Sequence, residues 1–325
     1  MNTVPRPPGA CPAGHTAVPT ADGTAALTTT WAATVPTAAC TAAPTTHPAG
    51  YRATRPRHAR FAARWAALPP ALAFALLGTL AAPGAAQAAP PLPPLLQADG
   101  ALSPSWRFVG FPKQHTDLPP TRFEAATVDG QRAVRVATAA SYGTLVTDWQ
   151  GTAPGPLQWR WRLDTPLAGG AAAPDILTKA GDDAALKVCV MFDHALDRVP
   201  FVERTVLRLA RSVSGERLPA ATLCYVWDSV HPAGTQGANP YTRRVRFISL
   251  QGRGAPLQRW VSETRDPAQD FIERFADELP QGRQTPREAV PPITRVLLGA
   301  DSDNTASSST GWVADLRWAV AKAPP

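Results

Sequence analysis

The sequence predicts an all-β fold: an antiparallel β-sandwich with jelly-roll-like wiring and two short helical insertions. Three observations predict it. Apolar residues recur with period two, the segments that show this are short and number about ten, and Gly, Pro and Asp turns punctuate them. The first are WRFVGF (106–111), TRFEAATV (121–128) and RAVRVA (132–137). In PLQWRWRL, Leu157, Trp159, Trp161 and Leu163 fall on one face and Gln158, Arg160 and Arg162 on the other, the pattern of a half-buried strand. ALKVCVMF sets Leu186, Val188, Val190 and Phe192 against Lys187, Cys189 and Met191, and TLCYVW places Leu223, Tyr225 and Trp227 together. Segments 243–250, 257–263, 293–300 and 311–318 complete the set.

Two stretches change period. PFVERTVLRLARSV spaces Val202, Val206 and Leu209 at helical intervals after Pro200. DPAQDFIERFADEL does the same with Phe271 and Phe275, with Asp266 as N-cap and Pro267 at the first helical position. Both are expected to pack on an edge or face of the sandwich. Residues 89–103 read as an extended linker ahead of a domain spanning 104–320. PLAGGAAAPDILTKAGDD reads as a long loop of the kind that often carries function.

Before that domain the chain is different. Residues 1–50 are mostly Ala, Thr and Pro and lack the apolar surface that offsets chain entropy, so they are expected to be disordered. Residues 51–88 follow the order of a secretory signal: five arginines from Arg52 to Arg64, an apolar run broken by Pro69-Pro70, then Ala86-Gln87-Ala88. Cleavage is expected near Ala89, leaving no membrane span; a start codon assigned too far upstream accounts most simply for a signal that begins so late. The protein is then exported, periplasmic or extracellular. Six arginines and one acid precede Ala89, so the remainder carries 26 Lys+Arg against 24 Asp+Glu, and the basic balance of the whole chain argues for no nucleic-acid partner. Cys189 and Cys224 are the cysteines that remain. They share the face opposite the apolar one on their strands, which permits a disulfide if those strands are neighbours.

The sequence carries no G-x-S-x-G, H-E-x-x-H, C-x-x-C or P-loop, and its histidines are scattered. Carboxylates and aromatics remain. Asp182 and Asp183 open the strand 184–192, and Asp301, Asp303 and Asn304 follow the apolar ITRVLLGA. These are oxygen ligands of the type Ca²⁺ takes, although an EF-hand is excluded by Ala306 and Trp312 where Gly and Glu are required. The same four aspartates are the candidate pair for a polysaccharide hydrolase or lyase, which needs two facing carboxyls with one pKa raised. Otherwise they are turn formers. If the two acidic loops meet, a positive group, Ca²⁺ or an Arg, is expected between them. Trp159, Trp161, Tyr225 and Trp227 read as core. Trp149, Trp260 and Trp312, nearer loops or strand ends, read as sugar-stacking platforms, with Arg160 and Arg162 either in solvent or lining a basic groove.

The ordered set WRWRL, KAGDDAALKVCVMF, LCYVW, the 260–270 segment and GADSDNT resembles the bacterial exported-protein family known as domain of unknown function 3047, over roughly residues 104–319. Lys179, Gly181, Asp182, Asp183, Tyr225, Trp227, Asp301, Asp303 and Asn304 match its motif positions, and Lys179 is also a candidate ligand-binding residue. The resemblance implies no catalytic role, substrate or cofactor. The expected function is non-catalytic binding of a glycan or another envelope ligand. The alternatives are a paired-carboxylate hydrolase or lyase and a structural or assembly factor of the cell envelope.

Overall fold

The computed structural model describes residues 89–111, 117–214 and 218–319. The expectations for residues 1–50 and for the signal at 51–88 lie outside the described residues. The strands are β1 (Arg107–Val109), β2 (Arg122–Val128), β3 (Gln131–Ala139), β4 (Tyr142–Gly151), β5 (Leu157–Thr165), β6 (Ala184–Phe192), β7 (Ala221–Trp227), β8 (Gln236–Ala238), β9 (Val245–Gln251), β10 (Val261–Arg265), β11 (Ile293–Asp301) and β12 (Ser308–Trp318). They form a sheet of seven, ordered β1-β4-β11-β6-β7-β9-β8, and a sheet of five, ordered β10-β5-β12-β3-β2. The fold is an all-β sandwich. One pair departs from the antiparallel expectation: β7 and β9 run parallel, because the chain between them crosses over and lays β8 on the outer edge of β9.

Alternation builds the core as expected. The period-two faces of β5 and β7 look inward from opposite sheets, so Trp159 packs on Tyr225 and Trp161 on Trp227, each with ring centroids 5.4 Å apart. All four rings are fully buried, and burial of each such side chain stabilises the fold by about 2–3 kcal/mol. Leu186, Val188 and Val190 of β6 and Val296 and Leu298 of β11 complete the same cluster.

The outer face of the larger sheet is also apolar. Val146, Cys189, Cys224, Phe247 and Leu297 form a second cluster there, covered in part by Ile176 from the long loop. Within it β6 and β7 are adjacent and antiparallel, Cys189 lies directly opposite Cys224, and the two are disulfide-bonded. The bridge spans a sequence separation of 35 residues. A closed loop of that order reduces unfolded-chain entropy by about 3–4 kcal/mol at room temperature.

The helices are α1 (Phe201–Ser214) and α2 (Pro267–Arg274). In α2, Asp266 accepts hydrogen bonds from the backbone N–H groups of Ala268 and Gln269, and Pro267 occupies the first turn, where a missing N–H costs nothing. Its Phe271, with Phe275 just beyond, is fully buried in the main core. For α1 the expectation is corrected. Val202, Val206 and Leu209 point into solvent, and Leu207 and Ala210 face the body of the protein. With apolar residues on both sides of this helix, spacing alone did not say which side packs.

Candidate functional site

The two acidic loops meet at one end of the larger sheet. Register brings them there: Asp301 at the end of β11 lies opposite Ala184 at the start of β6 and Tyr142 at the start of β4. Residues 302–307 then cross from the larger sheet to β12 in the smaller one. Asp183 holds that crossover. Its carboxylate accepts from the Thr305 backbone N–H at 2.7 Å, the Thr305 hydroxyl at 2.5 Å and the Asn304 backbone N–H at 3.2 Å. Gly181 lets the turn sit against residues 173–175, since a Cβ there would come within 2.4 Å of the Ala173 carbonyl oxygen.

The positive group between the loops is Lys187, not an Arg. Its Nζ lies 2.5 Å from Asp301 Oδ2, while Asp301 Oδ1 accepts from the Ala184 backbone N–H at 2.8 Å. Burial opposes the ammonium, but Asp301, Tyr142 and Asp182 outweigh it and hold Lys187 above the usual lysine range. The ammonium also lies 5.7 Å from the centre of the Tyr142 ring. With Asp183 and Asp301 so engaged, among the described residues no group of three or more His, Cys, Asp or Glu side chains is arranged to hold a metal ion.

One cation does not balance four carboxylates. Asp182 is pushed up to about 7 by burial and then by Asp301, against the opposing pull of Lys187 and a hydrogen bond from Asn239. Asp303 is pushed up to about 7 by burial, Asp301 and Asp183. Burial and Asp301 also raise Asp183, although the Thr305 and Asn304 donors oppose this. Around Asp182 the polar groups converge. Asn239 Nδ2 donates to its carboxylate at 2.5 Å, Asn304 Nδ2 donates to its backbone carbonyl at 3.1 Å, and the Tyr241 hydroxyl donates to the Lys179 carbonyl at 2.8 Å and lies 3.3 Å from Asn304 Oδ1. The exposed Lys179 ammonium sits 5.4 Å from the Tyr241 ring centre. Beside this group is a cavity of about 50 Å³, lined by the polar Asp182, Lys187, Asn239 and Asp301 and by the apolar Val226 and Phe247.

The remaining candidates go elsewhere. Trp149 is buried inside β4, its indole N–H donating to the Pro90 carbonyl at 2.9 Å, and Trp312 is buried with its N–H on Asp164 at 2.8 Å. Neither offers a ring face to solvent, which corrects the platform expectation for both. Arg162 is also buried, paired with Asp164 and Asp129, so it lines no open groove. Arg160, Arg162 and Trp312 do share the outer face of the smaller sheet, where Trp312 lies opposite Arg162 and Ala314 opposite Arg160. There the half-exposed Arg160 packs 5.2 Å from the centre of the Trp260 ring, covering it, and donates to Gln131.

Sequence reasoning missed Lys187, Asn239, Tyr241, Tyr142 and Thr305. Lys187 was visible as the one charge inside an apolar strand. The others carry no local signal, because only the pairing of β4, β6 and β11 and the turn at 239–242 bring them to the aspartates.

No curated protein matches this chain. The model of the family described as Protein of unknown function (DUF3047) matches residues 104–317, and the chain belongs to that family.

Proposed function

We propose that the protein is an exported, non-catalytic glycan-binding sandwich, and that its binding site is the acidic end of the larger sheet. The observation that carries this reading is the convergence of Asp182, Asn239, Asn304 and Tyr241, of which Asp182 and Asn239 line a small cavity of mixed polar and apolar residues. Carboxylate and amide groups exchange hydrogen bonds with neighbouring hydroxyls, and a phenol ring covers the C–H face of a sugar. A cavity of about 50 Å³ has room for a hydroxymethyl group and an ordered water. The leader composition supports export.

A second reading is favoured by a separate observation. Burial and Asp301 push Asp182 and Asp303 up to about 7, so either can hold a proton near neutral pH, as the general acid of a carboxylate hydrolase does, with the ionised Asp301 of the same cluster as its partner. A calorimetric screen of neutral and acidic oligosaccharides, with and without Ca²⁺, separates the two when run beside a turnover assay. Saturable binding without turnover, weakened roughly tenfold or more in Asp182→Asn, is the expected result. Turnover that disappears in the same variant establishes the hydrolase instead. Neither binding nor turnover overturns both, and envelope proteins that co-purify would then point to an assembly factor.

A further inference from the structure

Helix α1 presents an apolar face that is largely open to solvent among the described residues. Phe201 is 73% exposed, Val202 71%, Leu209 58% and Val206 48%. With Thr205, these positions fall on one side of the helix. Leu207 and Ala210 lie on the other and meet Val199, Leu218 and Ala220 in a small satellite cluster. The burial of Leu207 fixes the helix in place and thereby fixes which residues face outward.

Charge decides what covers that face. Arg204 and Arg208 border it, one turn apart, and Arg204 lies 5.7 Å from the Phe201 ring centre. Neither makes an ion pair among the described residues, and the single acid of the helix, Glu203, is turned inward onto Arg244 at 2.7 Å. The segment leading into the helix brings Asp193, Asp197 and Arg198, all exposed, a net charge of −1 ahead of the helix that the two unpaired arginines on it outweigh. A second copy docked through the same face would set these arginines against a helix with no free acid to receive them.

We propose that α1 docks the protein on an anionic lipid bilayer. A helix of 14 residues is about 21 Å long, too short to span the hydrocarbon core and long enough to lie along its surface. In that position Phe201, Val202, Val206 and Leu209 enter the acyl boundary while Arg204 and Arg208 meet anionic headgroups, the arrangement of interfacial amphipathic helices. The helix is inserted between β6 and β7, adjacent strands whose paired cysteines are bridged, so the element that would bear the membrane load is anchored at both ends to a cross-linked hairpin.

Co-sedimentation of the full chain with vesicles tests this, using zwitterionic phosphatidylcholine alone and phosphatidylcholine mixed with phosphatidylglycerol. Phe201→Ser/Leu209→Ser and Arg204→Glu/Arg208→Glu are compared with the parent, all carrying the same N-terminal region, so any contribution from residues 1–88 cancels. The parent should bind the anionic vesicles roughly tenfold more than the neutral ones, and each double variant should lose that preference while keeping the parent melting temperature. Equal binding by the parent and both variants overturns the proposal, as does a parent with no preference for the anionic surface. A parent that self-associates through this face, with a Phe201→Ser/Leu209→Ser variant that is monomeric and unchanged on vesicles, overturns it as well.

Discussion

Two charge clusters in this protein are built from the same kinds of residue and reach opposite electrostatic states. In one, Glu203, Asp277 and Glu278 face Arg243, Arg244 and Arg246. Glu278 is fully enclosed, bound by Arg244 and Arg246 at 2.5 Å each and by His194 at 3.1 Å. Burial would raise its pKa, but the arginines outweigh burial and pull it down to about 2. In the other, Asp182, Asp183, Asp301 and Asp303 share Lys187, and Asp182 and Asp303 rise to about 7. Burial acts in the same direction in both, so the supply of cations makes the difference. A balanced cluster is what a fold needs to tie Arg244 and Arg246 of the β9 region to the segment after α2. An unbalanced one retains proton-binding capacity at neutral pH, and strongly perturbed groups beside a cavity mark candidate functional sites.

The largest expected effect tests the balanced cluster. Glu278→Gln leaves two buried arginines short of a partner and should cost about 3–5 kcal/mol, read by chemical denaturation. Its pH signature follows from a folded pKa below the usual value. The stabilisation is complete above pH 4.5 and is lost as the pH falls toward 2, so the acid-unfolding limb should shift upward in the variant. A smaller effect is expected from Asp183→Ala. It removes the acceptor for the Thr305 and Asn304 donors and should destabilise by about 2 kcal/mol, with faster amide exchange confined to residues 302–307. The smallest belongs to Asp182. A carboxylate whose pKa rises on folding lowers stability as the pH climbs from 3.8 through 7, because the folded state resists ionisation. Asp182→Asn should therefore be neutral near pH 3, where neither state is ionised, and increasingly stabilising as the pH climbs through 7, read near pH 8 as a rise in Tm of about 2–4 °C. An equal gain at both pH values would remove the distinction between the clusters.

How much of this was legible in the sequence depends on whether the signal was local. Alternation identified β5, β6 and β7 and assigned Trp159, Trp161, Tyr225 and Trp227 to the core, because each strand shows a clean apolar face. It missed β4, where YGTLVTDWQG mixes Thr, Asp and Gly into both faces, and Trp149 was consequently taken for a residue near a loop. That strand lies between β1 and β11, and its burial comes from neighbours and not from its own pattern. That a positive group must lie between the two acidic loops once they meet followed from charge repulsion alone, whereas the meeting itself rests on the register of β4, β6 and β11. Repulsion did not identify that group, since only the β6–β11 register places Lys187 beside Asp301. The shared facing of Cys189 and Cys224 was readable as well, whereas the adjacency of β6 and β7, which their bridge requires, is a property of the assembled sheet.

The central claim is that Asp182 lies in a carboxylate cluster with too little positive charge. Carbon-13 NMR titration of the aspartate carboxyls, with the Asp182 signal assigned by its loss in Asp182→Asn, tests this most directly. The account predicts a midpoint near 7 for Asp182, at the value to which burial and Asp301 push it. A midpoint near the ordinary 3.8, with the fold intact, would contradict it.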